Sequence, residues 1–213
     1  GKFAIILIPA EATRRVAVST GKSGDVAMQP DILIFLSDQH DGRVQAHMGD
    51  GTVRTPHLDR LAREGVTFTQ AYTPCPLCVP ARMSLLTGQL PSHTGVFINN
   101  GSIHPEMPTF LHALELAGYE TVLCGRMHFE GEDQRHGFSR RIALDVTPTD
   151  FGGQDAFLRN LAPCGVLLTG AGCLQAVGGG NSPALEYDRY VVSQAVSWLG
   201  RDHERPQCLV VGP

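Results

Sequence analysis

A run of apolar, strand-forming residues places the strongest constraint on the fold of this chain. Residues 31–36 read Asp-Ile-Leu-Ile-Phe-Leu, and a near-continuous apolar run of this length is typical of a strand that is buried on both faces. The polar residues 37–40 follow it directly, and open α/β sheets bind their ligands at the carboxyl ends of such strands. The run therefore predicts an α/β fold with a ligand site near residue 38.

Helix and strand signals alternate along the rest of the chain. Helices are predicted at 55–65, 108–117 and 185–199, the first two with a proline near the start and a glycine after the last turn. Strands are predicted at 3–8, 16–19, 66–72, 119–124 and 207–211. Residues 150–183 are rich in glycine and proline and are predicted to be a loop. The alternation predicts an α/β/α sandwich with a mostly parallel sheet.

Composition excludes several classes of protein. The 213 residues fit one domain, or one large domain cut short, and 42% hydrophobic residues supply a packed core. The net charge of −4 argues against a nucleic-acid partner. No apolar run is long enough for a transmembrane helix, and no secretory signal is recognisable, so we expect no membrane partner and a cytoplasmic location. The six cysteines are scattered, unlike those of a small disulfide scaffold.

The stretch 78–88, Cys-Val-Pro-Ala-Arg-Met-Ser-Leu-Leu-Thr-Gly, predicts a loop that delivers a cysteine to the start of a helix, at or just before its first residue. Pro80 suits the first helical position, and Gly88 is a natural C-terminal stop. Cys78 would then lie where free N–H groups and the helix dipole favour a negative charge. Arg82, one turn further on, adds a cation. We therefore expect this helix to hold an oxyanion such as sulfate or phosphate.

The pattern C-x-P-x-R followed by x-x-L-L-T-G resembles the signature of the type I sulfatases, in which the cysteine is oxidised to the aldehyde formylglycine. Residues 76–82 and 88–92 are most similar to the choline-sulfatase and phosphonate monoester hydrolase branch of the alkaline phosphatase superfamily. Read without this resemblance, the pair Cys75 and Cys78 also fits a redox or zinc pair. Family members are longer than this chain. The resemblance therefore implies that residues 1–29 are an extension of uncertain origin and that residues 30–213 are the N-terminal part of a truncated catalytic domain.

The resemblance also implies a metal site at the end of the first core strand. Asp38 and Gln39 offer hard oxygen ligands and, together with the oxygen of a modified Cys78, suit Ca²⁺ or Mn²⁺, with Mg²⁺ as a further option. Many sulfatases carry two adjacent aspartates here. Because Gln39 removes one negative charge, we expect weaker calcium binding and a shift towards manganese. By itself, the polar strand end is equally compatible with no metal.

A second element of the family, G-K-x-H, is matched by residues 125–129, Gly-Arg-Met-His-Phe. Arg126 stands where the family has lysine, and its guanidinium group would bind a sulfonyl or phosphonyl group through two parallel hydrogen bonds. His128 is predicted to be an acid/base or a hydrogen-bond partner of the hydrated formylglycine. Because alternate residues leaving a strand point the same way, both side chains are expected to face one site. Asn99 matches a position where related hydrolases bind a substrate oxygen, although Asn100 fits that role as well, and the two residues are equally compatible with a simple turn.

The chemistry that this resemblance implies is hydrolysis of a small sulfate ester. An oxygen of the hydrated formylglycine attacks sulfur, the alcohol leaves, and the remaining hydroxyl expels sulfate with help from His128. Arg82, Arg126 and the metal balance the charge on the transferred group. The same residues suit a phosphonate monoester or phosphodiester, and an inactive fragment that acts as a binding or scaffold module is the alternative from another class. A formylglycine-generating enzyme is an implied partner, and a homo-oligomer is left open.

Overall fold

The structure is a computed structural model that describes residues 4–7, 15–19, 26–38, 40–145, 180–181 and 183–213. Its central sheet has five strands, and a separate pair of antiparallel strands lies between the first and second strands of that sheet in the chain. The strands, in chain order, are β1 (Ala4–Leu7), β2 (Arg15–Ser19), β3 (Val26–Pro30), β4 (Ile32–Ser37), β5 (Glu120–Gly125), β6 (Arg140–Ala143) and β7 (Gln207–Gly212). The central sheet has the order β1-β4-β7-β5-β6, and β2 pairs with β3.

Four of the five strands in the central sheet are parallel. β7 lies between β4 and β5 and is parallel to both, and β6 is parallel to β5 on the outer side. Only β1 runs antiparallel, at the edge beside β4. The predicted mostly parallel sheet is therefore confirmed. Because the strands share a direction, the carboxyl ends of β4, β7 and β5 meet at one edge, where a ligand site is expected.

Helices cover both faces of this sheet. They are α1 (Pro56–Glu64), α2 (Cys78–Thr87), α3 (Pro91–Thr94), α4 (Phe110–Leu116) and α5 (Pro183–Leu199), with a 3₁₀ turn at Ala46–Met48. On one face, α2 and α4 pack through Met83, Leu86 and Leu111 against a cluster that includes Val210 of β7. On the other face, α5 packs against the neighbouring residues Leu209 and Val211. Every residue of β7 is buried, because successive side chains point to opposite, covered faces.

Most of the predicted helices and strands are present, although their first and last residues differ from the predicted ones. The helix predicted at 108–117 starts at Phe110, because Thr109 and His112 form a capping box there. The strand predicted at 66–72 is wrong. This described segment pairs with no strand, and its apolar side chains Val66, Phe68 and Tyr72 are at least three-quarters exposed. An alternating pattern favours a strand only where a neighbouring strand pairs with it and buries one face, and no described strand lies beside this segment.

Two strands, β3 and β6, were not predicted. Most of the loop predicted at 150–183 lies outside the described residues. Within the ranges that the structure describes, every helix is too short or too polar to span a bilayer.

Candidate active site

Helix α2 begins at Cys78, at the carboxyl edge of the sheet. Leu77 before it is extended, and Gly88 ends it in the left-handed conformation (φ 68°), so the predicted stop is confirmed. Pro80 is the third helical residue rather than the first. The prediction was off by two positions, but the first turn still has no intrahelical acceptor for the N–H group that proline lacks. Asn99 caps the helix from outside, because its Oδ1 accepts a hydrogen bond from the Val79 amide at 3.1 Å.

Three side chains from separate elements meet at this edge. Asp38 follows β4, Cys78 opens α2, and His128 follows β5. One potential ligand atom from each lies within 4.8 Å of the other two. The sequence predicted that all three belong to one site, and the structure brings them together. Gln39, the other predicted metal ligand, lies outside the described residues.

Two arginines border this group. Arg126 donates from Nη1 to Asp38 Oδ2 at 3.1 Å, and Arg82 places Nη2 at 3.7 Å from Asp38 Oδ1. Arg82 is only 1% exposed, and its Nη1 also donates to the Arg126 carbonyl at 2.9 Å. The two arginines therefore place positive charge on both oxygens of Asp38, and guanidinium groups at this position are suited to an anionic group.

The chain reaches Arg126 through a close approach of two glycines. Gly125 ends β5 with φ 96°, and the Arg126 amide donates to the Gly212 carbonyl at 2.6 Å. A Cβ atom at Gly125 would lie 2.3 Å from that carbonyl oxygen, and one at Gly212 would lie 2.3 Å from the Arg126 carbonyl oxygen. Glycine at both positions lets the loop leave the sheet towards the site.

Asp145 is a residue of the site that sequence reasoning missed. Its Oδ2 accepts hydrogen bonds from the amides of Met127 and His128 at 2.9 and 2.6 Å, and its Oδ1 lies 3.9 Å from His128 Nε2. His128 has a positive φ of 58°, which is uncommon for a residue other than glycine. The buried carboxylate therefore stabilises a turn that extended-strand geometry did not predict. The available signal was an acidic residue after an apolar strand, the same signal that identified Asp38.

Burial and neighbouring charges shift the pKa values of three side chains in the site. Burial alone would raise the pKa of Asp38, but Arg82, His128 and Arg126 outweigh it and hold that pKa below its ordinary value. Burial, opposed mainly by Asp145, lowers the pKa of His128 to about 4, so the imidazole is neutral near pH 7. Burial and the nearby Asp38 raise the pKa of the Cys78 thiol, although Arg82 acts in the opposite direction. The cysteine is therefore protonated rather than a thiolate, contrary to what the helix position alone suggests.

These residues fit a divalent cation as part of its coordination shell. Asp38 offers carboxylate oxygens at the point where Cys78 and His128 converge, and two guanidinium groups keep that carboxylate ionised. A thiol is a poor ligand for Ca²⁺ or Mg²⁺, whereas an oxygen at position 78 would match the carboxylate. Within the described ranges this group supplies fewer ligands than such ions take.

The Sulfatase family model matches residues 30–213 of this chain. The chain belongs to the sulfatase family. Sulfatases generally use formylglycine and a divalent metal. Among curated sulfatases, the choline-sulfatase of Rhizobium meliloti (strain 1021) is 36% identical over 200 residues, which cover 86% of this chain and 37% of that protein. The chain thus spans little more than a third of the length of this relative.

Solved structures support the fold. The phosphonate monoester hydrolase of Agrobacterium radiobacter superposes with a TM-score of 0.64 at 24% identity, covering 86% of this chain and 40% of that one. A second solved structure, of a protein in complex with its substrate D-glucosamine-2-N,6-O-disulfate, superposes with a TM-score of 0.63 at 23% identity. The match covers 86% of this chain and 34% of that one. The superpositions confirm the predicted α/β/α fold class, and the family model confirms the predicted family.

Proposed function

We propose that the protein hydrolyses sulfate esters through an oxygen nucleophile made from Cys78. One observation carries the proposal: Asp38, Cys78 and His128 converge within 4.8 Å at the carboxyl edge of the sheet, beside Arg82 and Arg126. This arrangement combines a position for a nucleophile, a carboxylate for a cation and two cations for a developing negative charge.

The state of Cys78 supports its conversion to formylglycine. A cysteine that attacks as a thiolate is usually given a lowered pKa by its surroundings, whereas burial and Asp38 raise the pKa of this thiol. Unmodified, the residue is a weak nucleophile with no second hydroxyl to release sulfate from a covalent ester. We therefore infer that a formylglycine-generating enzyme acts on this cysteine.

The remaining side chains take roles that follow from their contacts. Arg82 and Arg126 would stabilise charge on the sulfonyl oxygens, and the neutral His128 would accept or return a proton. Asn99 commits its Oδ1 to the helix, so a contact with substrate would fall to its amide nitrogen.

Asp38 and the converted residue 78 would hold a divalent cation, with Gln39 as a further ligand. Such a cation polarises the ester and lowers the pKa of the attacking oxygen. Calcium or manganese remains the predicted ion, with magnesium as a further option. We propose that residues 30–213 are the N-terminal part of the catalytic domain and that the other ligands lie outside the 213 residues. The assignment of residues 1–29 as an extension and the cytoplasmic location stay predictions.

Intact-protein mass spectrometry of the full-length protein, co-expressed with a formylglycine-generating enzyme, provides the first test. Conversion of the thiol to the aldehyde lowers the mass by roughly 18 Da. We expect this shift in the wild type and not in Cys78→Ala. Converted protein that fails to cleave any sulfate ester contradicts the proposed reaction, as does turnover by Cys78→Ala.

Parallel assays separate the alternatives. Choline sulfate, an aryl sulfate and a phosphonate monoester are offered to the same converted sample, together with Cys78→Ala as a blank. Faster cleavage of a sulfate ester supports the main proposal, whereas faster cleavage of the phosphonate favours the second enzymatic interpretation. Binding of these esters without cleavage indicates the binding-module alternative.

A further inference from the structure

We propose that Tyr187 is a positioning residue that holds the guanidinium group of Arg126 towards the anion; this inference rests on the proposed function. Tyr187 lies on α5, 61 residues after Arg126 in the sequence. Its ring centroid is 5.2 Å from Arg126 Cζ, and the tyrosine is fully buried. A guanidinium group over an aromatic face at this distance is attracted by the negative face of the ring, most strongly where water is excluded.

The ring is itself fixed at its far end. The Tyr187 hydroxyl donates a hydrogen bond to the Leu144 carbonyl at 3.0 Å. Burial raises the pKa of this phenol above its ordinary value, so the hydroxyl stays protonated and remains a donor. With one end held by a hydrogen bond and the body packed in the α5 cluster, the aromatic face is a rigid platform.

Arg126 needs such a platform because its polar partner has a second task. The only carboxylate within ion-pair distance of its guanidinium group, among the described residues, is Asp38. A cation bound at Asp38 would compete with Arg126 for the same oxygens. Arg126 Nε is buried and makes no hydrogen bond to a described residue, so the ring contact is the restraint on this side chain that does not depend on Asp38.

Tyr187 also contacts the backbone next to Asp145, the residue that holds the turn at His128. Leu144 precedes Asp145, which accepts the amide hydrogen bonds of Met127 and His128. Tyr187 therefore contacts the Arg126 side chain through its ring, and through its hydroxyl it contacts the backbone next to Asp145.

A double-mutant cycle in the converted full-length protein tests the proposal. Tyr187→Phe keeps the aromatic face, Tyr187→Leu removes it, and each is combined with Arg126→Ala. We expect Tyr187→Phe to keep kcat/KM within about 2-fold, and Tyr187→Leu to lower it by about 10-fold. In the Arg126→Ala background, Tyr187→Leu should change kcat/KM by less than about 2-fold, because the partner is already absent.

Other outcomes overturn the proposal. An equal loss from Tyr187→Leu in both backgrounds indicates a structural role, and an equal loss from Tyr187→Phe and Tyr187→Leu assigns the effect to the hydroxyl. Thermal unfolding is recorded for each variant. If Tyr187→Leu fails to fold, Tyr187→Met, whose unbranched side chain adapts better to the space, replaces it with the same expected and contradicting results.

Titration with inorganic sulfate separates this inference from the proposed function. Sulfate affinity does not require turnover, so it is measurable even where the wild type cleaves no ester. We expect Tyr187→Leu to weaken sulfate binding by about 10-fold and Tyr187→Phe to leave it nearly unchanged. Equal dissociation constants for wild type and Tyr187→Leu would contradict the positioning role.

Discussion

The two sides of the site are built in different ways. On the α2 side, Cys78 and Arg82 are placed by one helix whose ends are set by nearby residues such as Gly88. On the β5 side, Arg126 and His128 lie in a loop that is held by residues from elsewhere in the chain. Asp145 is 17 residues beyond His128, Tyr187 lies on α5, and Gly212 ends the central strand.

This contrast indicates which side depends on tertiary structure. A helix carries its own hydrogen bonds, so the α2 side needs the rest of the fold mainly for burial. Residues 126–128, which follow β5, are instead held by the buried Asp145 carboxylate and by the close backbone contact with Gly212. We therefore expect substitutions remote from the site in sequence to damage the β5 side more than the α2 side.

Removing Asp145 should have the largest effect. Asp145→Ala leaves two buried amides without their acceptor beside several buried cations, so we expect a loss of about 4 kcal/mol in the free energy of unfolding. The proposed ester hydrolysis should fall by more than about 10-fold, because the turn at His128 loses the carboxylate that holds it. Urea unfolding and ester hydrolysis measure the two effects.

Asp133→Ala is the matched control. Asp133 also accepts two backbone amides through one oxygen, from Arg135 at 2.9 Å and His136 at 3.2 Å, but its side chain is 30% exposed against 5% for Asp145. Water replaces much of the lost bonding there, so we expect a loss of about 1 kcal/mol and unchanged activity. Similar losses from both substitutions would show that Asp145 has no special role in the β5 side.

Gly125→Ala tests the close backbone contact. The added Cβ would lie 2.3 Å from the Gly212 carbonyl oxygen and 2.8 Å from a Val191 methyl carbon, so β5 and β7 would have to separate. We expect a loss of about 3 kcal/mol in unfolding free energy. Gly118→Ala is the control, because Gly118 has nearly the same φ (93° against 96°) with open space around it, and it should lose only about 1 kcal/mol. Equal losses would assign the effect to backbone strain alone.

The pH dependence of stability should come largely from His128. Burial lowers its folded pKa from 6.5 to about 4, so on acidification the unfolded state takes up a proton before the folded state does. Stability is then fully present above the unfolded pKa of about 6.5 and is lost as the pH falls towards 4, by about 2 kcal/mol between pH 7 and pH 4.5. Cys78 adds nothing here, because its raised pKa lies above this range.

Urea unfolding at several pH values with a chelator present measures this dependence. His128→Gln, which does not titrate, should give a flatter curve over the same range. An unchanged slope in that variant would place the acid sensitivity elsewhere in the molecule.

The sequence predicted the parts of the fold that local patterns determine. The apolar runs of β4 and β7 and the helix ends at Gly65 and Gly88 were evident, because apolar patterning and capping residues specify them locally, although only β7 is buried along its whole length. The segment 66–72 was misjudged for the converse reason. It has an alternating pattern, but pairing is a property of two strands, and no described strand lies beside it.

The residues of the site likewise fall into those that local sequence patterns predicted and those that they did not. Cys78, Arg82 and Asp38 belong to motifs that are contiguous or follow a recognisable strand. Asp145 and Tyr187 act across long separations, so no spacing rule connects them with the β5 loop. The left-handed turn at His128 was likewise hidden, since only the amide contacts with Asp145 indicate it.

The smallest expected effect tests the α2 side at Asn99. This exposed residue caps the helix through the Val79 amide, so Asn99→Ala should lower the unfolding free energy by about 1 kcal/mol, and Asn100→Ala should not. Asn99→Asp keeps an acceptor oxygen for the cap but places a negative charge beside the site. If Asn99 contacts the substrate, that variant should remain as stable as the wild type and raise KM by about 10-fold through repulsion of the anionic ester. An unchanged KM in Asn99→Asp would leave Asn99 with the capping role alone and would show that α2 is stabilised by a residue outside the chemistry.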